Sequence, residues 1–390
     1  MARRGAAASH GRTEAGGRCD PVANGPRRGR PQCWGVLWPA PTGTVGVPAH
    51  IQERVGPPRL GRMTFLVTGG AGYIGSHVVR LLRQAGTDVV IVDDLSTGDT
   101  GRNPGTDIVE LDVAAPGAHE VLARELTDRS VEAVIHFAAR KQVGESVERP
   151  EWYYQQNIGG LANLLTAMRE ADARLLIFSS SAAVYGMPDL DLVPESTPCH
   201  PINPYGETKY IGEWMLANAE AAWGLRWTAL RYFNVAGAGA PDLGDRAVLN
   251  LVPMVLDRLA RGDRPRIFGD DYPTPDGTCV RDYIHVADLA DAHIAAARAL
   301  QGDAPLREHV FNVGTGTGSS VRDVVDAIGA VSGLDSTAIV EPRRAGDPAR
   351  IVGDPSRIGE VLGWRARYDL ADIVRSAWDA WQAGPRRISR

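Results

Sequence analysis

The stretch Met63-Thr64-Phe65-Leu66-Val67-Thr68-Gly69-Gly70-Ala71-Gly72-Tyr73-Ile74-Gly75-Ser76-His77 decides the fold of this chain. Residues 64–67 are apolar and in part β-branched, the composition of a buried strand. Gly69, Gly72 and Gly75 follow at G-x-x-G-x-x-G spacing, and a helical stretch over 76–85 then runs to Gly86. Glycines in such a turn let a pyrophosphate approach the backbone, and the free N–H groups of the next helix meet its charge. In a chain with 44 glycines the spacing alone says little, because a plain glycine turn carries the same letters. Its place between a strand and a helix is what marks a dinucleotide site.

Working outward, further apolar runs lie at 88–92, 107–111, 131–137, 173–178 and 225–232, with helical stretches such as 157–170 between them. Strands alternating with helices predict an α/β chain with a doubly wound, parallel, Rossmann-type sheet covered on both faces. The dinucleotide domain is expected over 63–238. A smaller C-terminal α/β domain for the substrate is expected over 239–390, with a strand near 310–313 rejoining the main sheet. The second run ends at Asp93, where a carboxylate accepts from a ribose 2′-hydroxyl and repels a 2′-phosphate. No arginine follows at once in Asp94-Leu95-Ser96-Thr97, so NAD is expected rather than NADP. The third run delivers Asp112 toward the adenine edge.

Only two lysines, Lys141 and Lys209, stand against 40 arginines. A guanidinium keeps its proton in a protein, whereas an ammonium has a pKa that its surroundings can tune. A retained lysine therefore points to chemistry that arginine cannot perform. Lys209 follows Tyr205 by one helical repeat, so phenol and ammonium share a face. A free phenol is a poor base at neutral pH, but a nearby ammonium and a positively charged nicotinamide both favour the phenolate. Tyr205 is then expected to take a proton from a substrate hydroxyl as hydride leaves the same carbon. The fifth run ends in Ser179-Ser180-Ser181, where ligands sit in such sheets. Ser181 is placed to hydrogen-bond a substrate oxygen. Turn-forming serines or an exposed aromatic–lysine pair would look alike singly. Their convergence is what separates the readings.

The remaining composition sets limits. The chain of 390 residues is 44% hydrophobic, enough for a substantial core, and contains no apolar run long enough to span a membrane. A net charge of −5 argues against a general nucleic-acid binder. Cys19, Cys33, Cys199 and Cys279 lie far apart, which predicts free thiols in a reducing, cytoplasmic setting. His136, His200, His285 and His293 show no metal-ligand spacing, and no metal is expected. Residues 1–62 hold ten arginines, no lysine and three acids. They are expected to be a disordered or non-native extension, with Met63 as the natural start.

Taken together, these stretches resemble the UDP-glucose (UDP-galactose) 4-epimerases of the extended short-chain dehydrogenase/reductase superfamily. The resemblance runs from about 64 to 385. It is carried by GGAGYIGSH (69–77), HFAARKQVGESV (136–147), SSSAAVYG (179–186), NPYGETK (203–209), RYFNVAGA (231–238), FGDDYPTPDGTCVRDYIHVADLADAH (268–293) and PRRAGDP (342–348). It implies Tyr205 as base, Lys209 as its partner and Ser181 as catalytic serine. For NAD it implies contacts from Gly69, Gly72, Tyr73, Ile74 and Gly75, then Asp93, Asp94, Leu95 and Ser96. It adds Asp112, Val113, Phe137, Ala138, Ala139, Lys141, Asn157 and Phe233. For the UDP-sugar it implies Asn234, Asn250, Leu251, Phe268, Arg281, Arg344 and Asp347. It also implies a homodimer through helices at 157–170 and 205–222.

The implied reaction passes hydride from the sugar C4′ to NAD and back onto the other face of a 4-keto sugar. Two departures stand out. Ala183 occupies a place where many members have Thr. Ile351 stands where some bacterial relatives have Tyr, which implies a wider sugar pocket that admits N-acetylated UDP-sugars. A nucleotide-sugar 4,6-dehydratase or a decarboxylase is disfavoured, because Ala182 and Ala183 replace the acids it needs. A 4-epimerase of another UDP-sugar (N-acetylhexosamine, pentose or glucuronate) uses the same machinery. A non-catalytic nucleotide-binding protein would not need Ser181, Tyr205 and Lys209 intact.

Overall fold

The computed structural model describes residues 63–302, 304–344 and 346–384. The expected N-terminal extension over 1–62, with Cys19 and Cys33, lies outside the described residues.

Seven parallel strands form the main sheet. In chain order they are β1 (Thr64–Thr68), β2 (Asp88–Asp93), β3 (Asp107–Glu110), β4 (Ala133–His136), β5 (Leu175–Ser181) and β6 (Arg226–Tyr232), joined by β10 (Val310–Val313). Their order across the sheet is β10-β6-β5-β4-β1-β2-β3. The chain thus builds outward from β1 in one direction and restarts at β4 in the other. This is the doubly wound sheet that the alternation of runs predicts. Side chains alternate along each strand, so each strand feeds two cores. Phe65, Val67, Ile91, Ile135, Ile177 and Leu230 point to one face. There they meet α1 (Tyr73–Gln84) and α6 (Val286–Gln301). Leu66, Val90, Val92, Val134, Leu176 and Ala229 point to the other. There they meet α2 (Ala118–Asp128), α3 (Gly160–Glu170) and α4 (Pro204–Trp223).

The C-terminal half adds a smaller α/β unit. Strand β9 (Val280–His285) pairs with β7 (Asn234–Ala236), β11 (Gly318–Ser320) and β13 (Arg350–Ile351), while β8 (Arg266–Phe268) pairs with β12 (Ile339–Glu341). Around them α5 (Leu251–Ala260), α7 (Val321–Ser332) and α8 (Leu370–Ala383) share a separate core of Val252, Leu256, Val324, Ile328, Ile373 and Val374. Because α6 and β10 belong to the main sheet, the chain crosses between the two units more than once. No helix among the described residues is long and apolar enough to cross a membrane.

Candidate active site

In a doubly wound sheet the connections from adjacent strands leave in opposite directions at the switch point, here between β1 and β4. A crevice opens there beyond the carboxyl ends of the strands. The chain has a cleft of about 490 Å³ at that place, lined from Gly69 through Tyr205 to Tyr283.

One wall is the glycine turn. Gly69 has φ +69, and a Cβ on it would lie 2.8 Å from the Ala138 nitrogen at the end of β4. A Cβ on Gly75 would lie 2.3 Å from the Gly69 carbonyl. Only glycine fits either place. Helix α1 starts at Tyr73 with no side-chain hydrogen bond at its cap, which leaves its first N–H groups for an anionic ligand. Asp93 at the end of β2 is buried. It accepts from the Ala71 nitrogen (3.0 Å) and the Leu95 nitrogen (2.9 Å). Burial raises its carboxyl, against the pull of these N–H groups. Asp112 accepts from the Ala114 nitrogen (2.8 Å) and from Gln156 (3.2 Å). A glycine cradle, an open helix start and fixed acids at the ends of β2 and β3 fit a dinucleotide.

Tyr205, Lys209 and Ser181, the candidate catalytic residues, come together where α4 passes the end of β5. Tyr205, Lys209 and Glu213 occupy successive turns of one face of α4, and all three are buried. The three serines face them in turn. The Lys209 ammonium donates to the Ser179 carbonyl at 2.8 Å. The Ser180 hydroxyl donates to Glu213 Oε1 at 2.6 Å. The Ser181 side chain faces the Tyr205 phenol and lowers its pKa, and its hydroxyl caps the next turn by accepting from the Ala183 nitrogen at 3.2 Å. The triple serine is therefore a binding strip for α4 as well as a turn. Below it, Arg231 grips Glu213 through Nε (2.9 Å) and Nη2 (2.5 Å), a buried bidentate pair.

Electrostatics in the chain by itself differ from the expectation of a phenol acidified by its lysine. Burial raises the Tyr205 phenol, and Ser181 is the group that pulls it down. The Lys209 nitrogen stands 5.9 Å from the centre of the Tyr205 ring. Burial lowers its own pKa to about 7. Both groups thus rest near or toward their neutral forms, the state that desolvation favours for each.

Most of the residues expected from sequence are brought to this cleft. Ser181, Tyr205 and Lys209 line it, as do Gly72, Ile74, Asp94, Ser96, Val113, Phe137, Ala138, Ala139, Lys141 and Phe233. From the substrate set Asn234, Asn250 and Leu251 line it too. Asn157 and Leu95 do not. Asn157 lies behind, in a π-helical turn (Tyr154–Gly159), where its amide bridges the Arg140 backbone and the Thr208 hydroxyl on α4. Leu95, at φ +54, packs against the core beside α1. Phe268, Arg281, Arg344 and Asp347 also stand outside this cleft, as two pairs. Arg281 meets Asp347 at 3.6 Å, and the Arg344 guanidinium lies 3.7 Å over the Phe268 ring. Tyr283 connects the Arg281–Asp347 pair to the cleft, since it lines the wall and feels the charges of both. Ile351 is buried with Ala182, Val184, Tyr185, Val193 and Phe233, in the cluster behind the cleft wall rather than in its lining.

Sequence reasoning missed Arg140, Trp152, Gln156, Tyr232 and Tyr283, which also line the cleft. Tyr283 stands two residues from Arg281 on β9 and so shares its face, but no strand is expected there from the sequence. Arg140 and Gln156 carried no signal of their own.

A model of the NAD dependent epimerase/dehydratase family matches residues 65–314. The chain is similar to the UDP-glucose 4-epimerase of Lactobacillus helveticus, at 42% identity over 330 residues, covering 83% of this chain and 98% of that protein. It is 47% identical over 320 residues to the UDP-glucose 4-epimerase of Azospirillum brasilense, covering 80% of this chain and 90% of the relative. The crystal structure of UDP-glucose 4-epimerase from Brucella ovis in complex with NAD matches with a TM-score of 0.76 at 44% identity, over 81% of this chain and 97% of that one.

Proposed function

Since this chain belongs to the NAD dependent epimerase/dehydratase family, we propose that it interconverts UDP-galactose and UDP-glucose by NAD-dependent inversion at C4 of the sugar. The observation that carries this reading is the meeting of Ser181, Tyr205 and Lys209 in one cleft with the glycine turn. Bound NAD supplies the acceptor and donor of hydride at that carbon. Tyr205 takes the proton of the 4′-hydroxyl and returns it after the sugar turns over. Ser181 shares hydrogen bonds with the phenol and the sugar oxygen, which keeps the proton path short. Lys209, fixed by the Ser179 carbonyl, offsets the negative charge that appears on Tyr205 when the phenol ionises.

The sugar must be held loosely and the nucleotide tightly, because the ring has to present both faces. Asn234, Asn250 and Leu251 in the cleft, with Phe268, Arg281, Arg344 and Asp347 beyond it, serve as the anchor for UDP. On this reading nucleotide-sugar binding belongs mainly to residues 239–390, with Asn234 added from the first domain, and cofactor binding to 63–238. The enzyme acts in the cytoplasm as a homodimer joined through the helices at 157–170 and 205–222. The exposure of Trp214 on α4, at 52%, supports that face. Sedimentation of the purified chain tests it, and a monomer at micromolar concentration would rule it out.

The decisive assay gives the full chain UDP-galactose with no added cofactor and reads products by NMR, with UDP-N-acetylglucosamine and UDP-pentoses in parallel. UDP-glucose is the expected product. Tyr205→Phe is expected to lower turnover on the order of a hundred- to ten-thousand-fold while NAD remains bound. Epimerisation surviving in that variant would overturn the mechanism.

A further inference from the structure

The adenosine end of the cleft holds an arginine that the proposed reaction does not use. Arg140 Nη2 donates to Asp94 Oδ2 at 2.6 Å, and Nη1 donates to Ser96 Oγ at 2.6 Å. The Ser96 hydroxyl in turn donates to Asp94 Oδ1 at 2.6 Å. On its other side Arg140 Nε donates to Gln156 at 3.2 Å, and Gln156 donates to Asp112 at 3.2 Å. The guanidinium carbon lies 5.1 Å from the centre of the Trp152 ring, within cation–π range. Arg140, Asp94, Ser96, Gln156 and Trp152 all line the cleft. The pair is largely withdrawn from solvent, with side-chain exposures of 22% for Arg140 and 27% for Asp94, so its charges are screened less than surface charges.

Position gives this cluster its meaning. Asp93, one residue before Asp94, is the acid placed to accept from the ribose 2′-hydroxyl. The charges of Asp94 and Arg140 both act on the Asp93 carboxyl, and all three residues line the same cleft. A phosphate on that hydroxyl would arrive among them. An arginine fork is the side chain best shaped to receive a phosphate. Here the fork is taken up by Asp94 and Ser96, and its charge is matched by an acid. Nothing in the local sequence around Asp93 shows this arginine, because it comes from 46 positions beyond Asp94.

We propose that Asp94 and Arg140 form a specificity-determining pair: Asp94 occupies the Arg140 guanidinium, so that the cleft takes a dinucleotide with free ribose hydroxyls and rejects one bearing a 2′-phosphate. The proposal rests on the reading of the cleft as a dinucleotide site. It makes Asp94 act twice, through its own repulsion of a phosphate and by disabling the group that would bind one. Removing its charge therefore shifts both terms in the same direction, while Asp93 keeps its share of the repulsion.

The test measures binding rather than turnover. The full chain is stripped of copurifying nucleotide and titrated calorimetrically with NAD and, separately, with NADP. Asp94→Asn keeps the shape and the acceptor for Ser96 but loses the charge. It is expected to raise the NADP-to-NAD affinity ratio about tenfold or more, the effect of roughly one charge contact. Asp94→Ser, which cannot reach Arg140, is expected to move the ratio the same way and provides a second variant should Asn disturb the loop. Adding Arg140→Ala to either is expected to return the ratio toward the wild-type value. Because each ratio is taken within one protein, general loosening of the loop cancels. A ratio unchanged in Asp94→Asn and Asp94→Ser, with NAD still bound, would overturn the proposal and leave the epimerase reading intact. A gain that persists undiminished after Arg140→Ala would also overturn it, since repulsion by Asp94 alone would then account for the preference. Failure of the wild-type chain to bind either dinucleotide would instead remove the reading on which it rests.

Discussion

Lys209 shows how one residue couples burial to chemistry. Its nitrogen donates to the Ser179 carbonyl, and burial brings its pKa from 10.5 to about 7. Between those values the unfolded chain binds a proton that the folded chain has released. Stability of the nucleotide-free chain therefore rises as pH rises from about 7 toward 10.5, by linkage. Urea midpoints at pH 7 and 9 should show this rise, and Lys209→Met should flatten it. An equal slope in the variant would show that the group is not depressed in the folded chain. Lys209→Arg should not restore activity, because a planar fork cannot replace a compact ammonium at a single carbonyl. Gly75 is equally specific. Its replacement by alanine would drive Cβ into the Gly69 carbonyl, so Gly75→Ala should lose NAD binding while the sheet remains folded, as read by calorimetry and circular dichroism.

At the scale of elements, α4 is held as a rigid platform. Asn203 caps it by accepting from the Gly206 nitrogen at 2.9 Å, Pro204 starts it, and Gly224 at φ +76 ends it. Its buried face then hands Tyr205, Lys209 and Glu213 to β5. The Glu213–Arg231 pair ties α4 to β6 as well. Breaking such a pair leaves a buried charge without its counter-ion. Glu213→Gln should thus cost about 3–5 kcal/mol in urea unfolding, whereas a loss below about 1 kcal/mol would place the pair in water. The π-helical turn ahead of α3 does related work. It widens the helix where Asn157 must reach both the Arg140 backbone and Thr208, so one wall of the cleft and α4 share one brace.

Across the whole molecule, the two units are stitched at the glycine turn. The Tyr73 hydroxyl donates to the Gly237 carbonyl at 2.6 Å, and His77 Nε2 accepts from the Gly239 nitrogen at 2.9 Å. His285 meets the Ser376 hydroxyl on α8 at 2.9 Å. Four histidines from different elements are buried in the neutral form. Burial lowers His77 and His293 to about 4, and His136 and His285 to about 3. The unfolded chain protonates them near 6.5. Stability should therefore fall as pH falls from 6.5 toward 4, where the unfolded chain binds the extra protons. Urea midpoints at pH 6.5 and 5 test this. A flat profile in that window would mean that these rings are solvated or already charged in the folded chain.

Much of this was legible in local sequence. The strand-glycine-helix run at 64–77, the acids that end β2 and β3, and the Tyr205–Lys209 spacing each express a short-range rule: steric permission, strand termination, helical period. Such rules act within one turn or one strand, so the letters suffice. The partners of those residues were not legible. That Ser179, Ser180 and Ser181 face three turns of α4, that Ser181 more than Lys209 acts on the phenol, and that Arg140 comes to rest between Asp94 and Gln156 depend on strands and helices far apart in the chain. Their meeting is set by which faces the two cores bury, and by where the order of strands reverses between β1 and β4. Only the folded sheet decides that, because burial is a property of the whole packing and has no local signature.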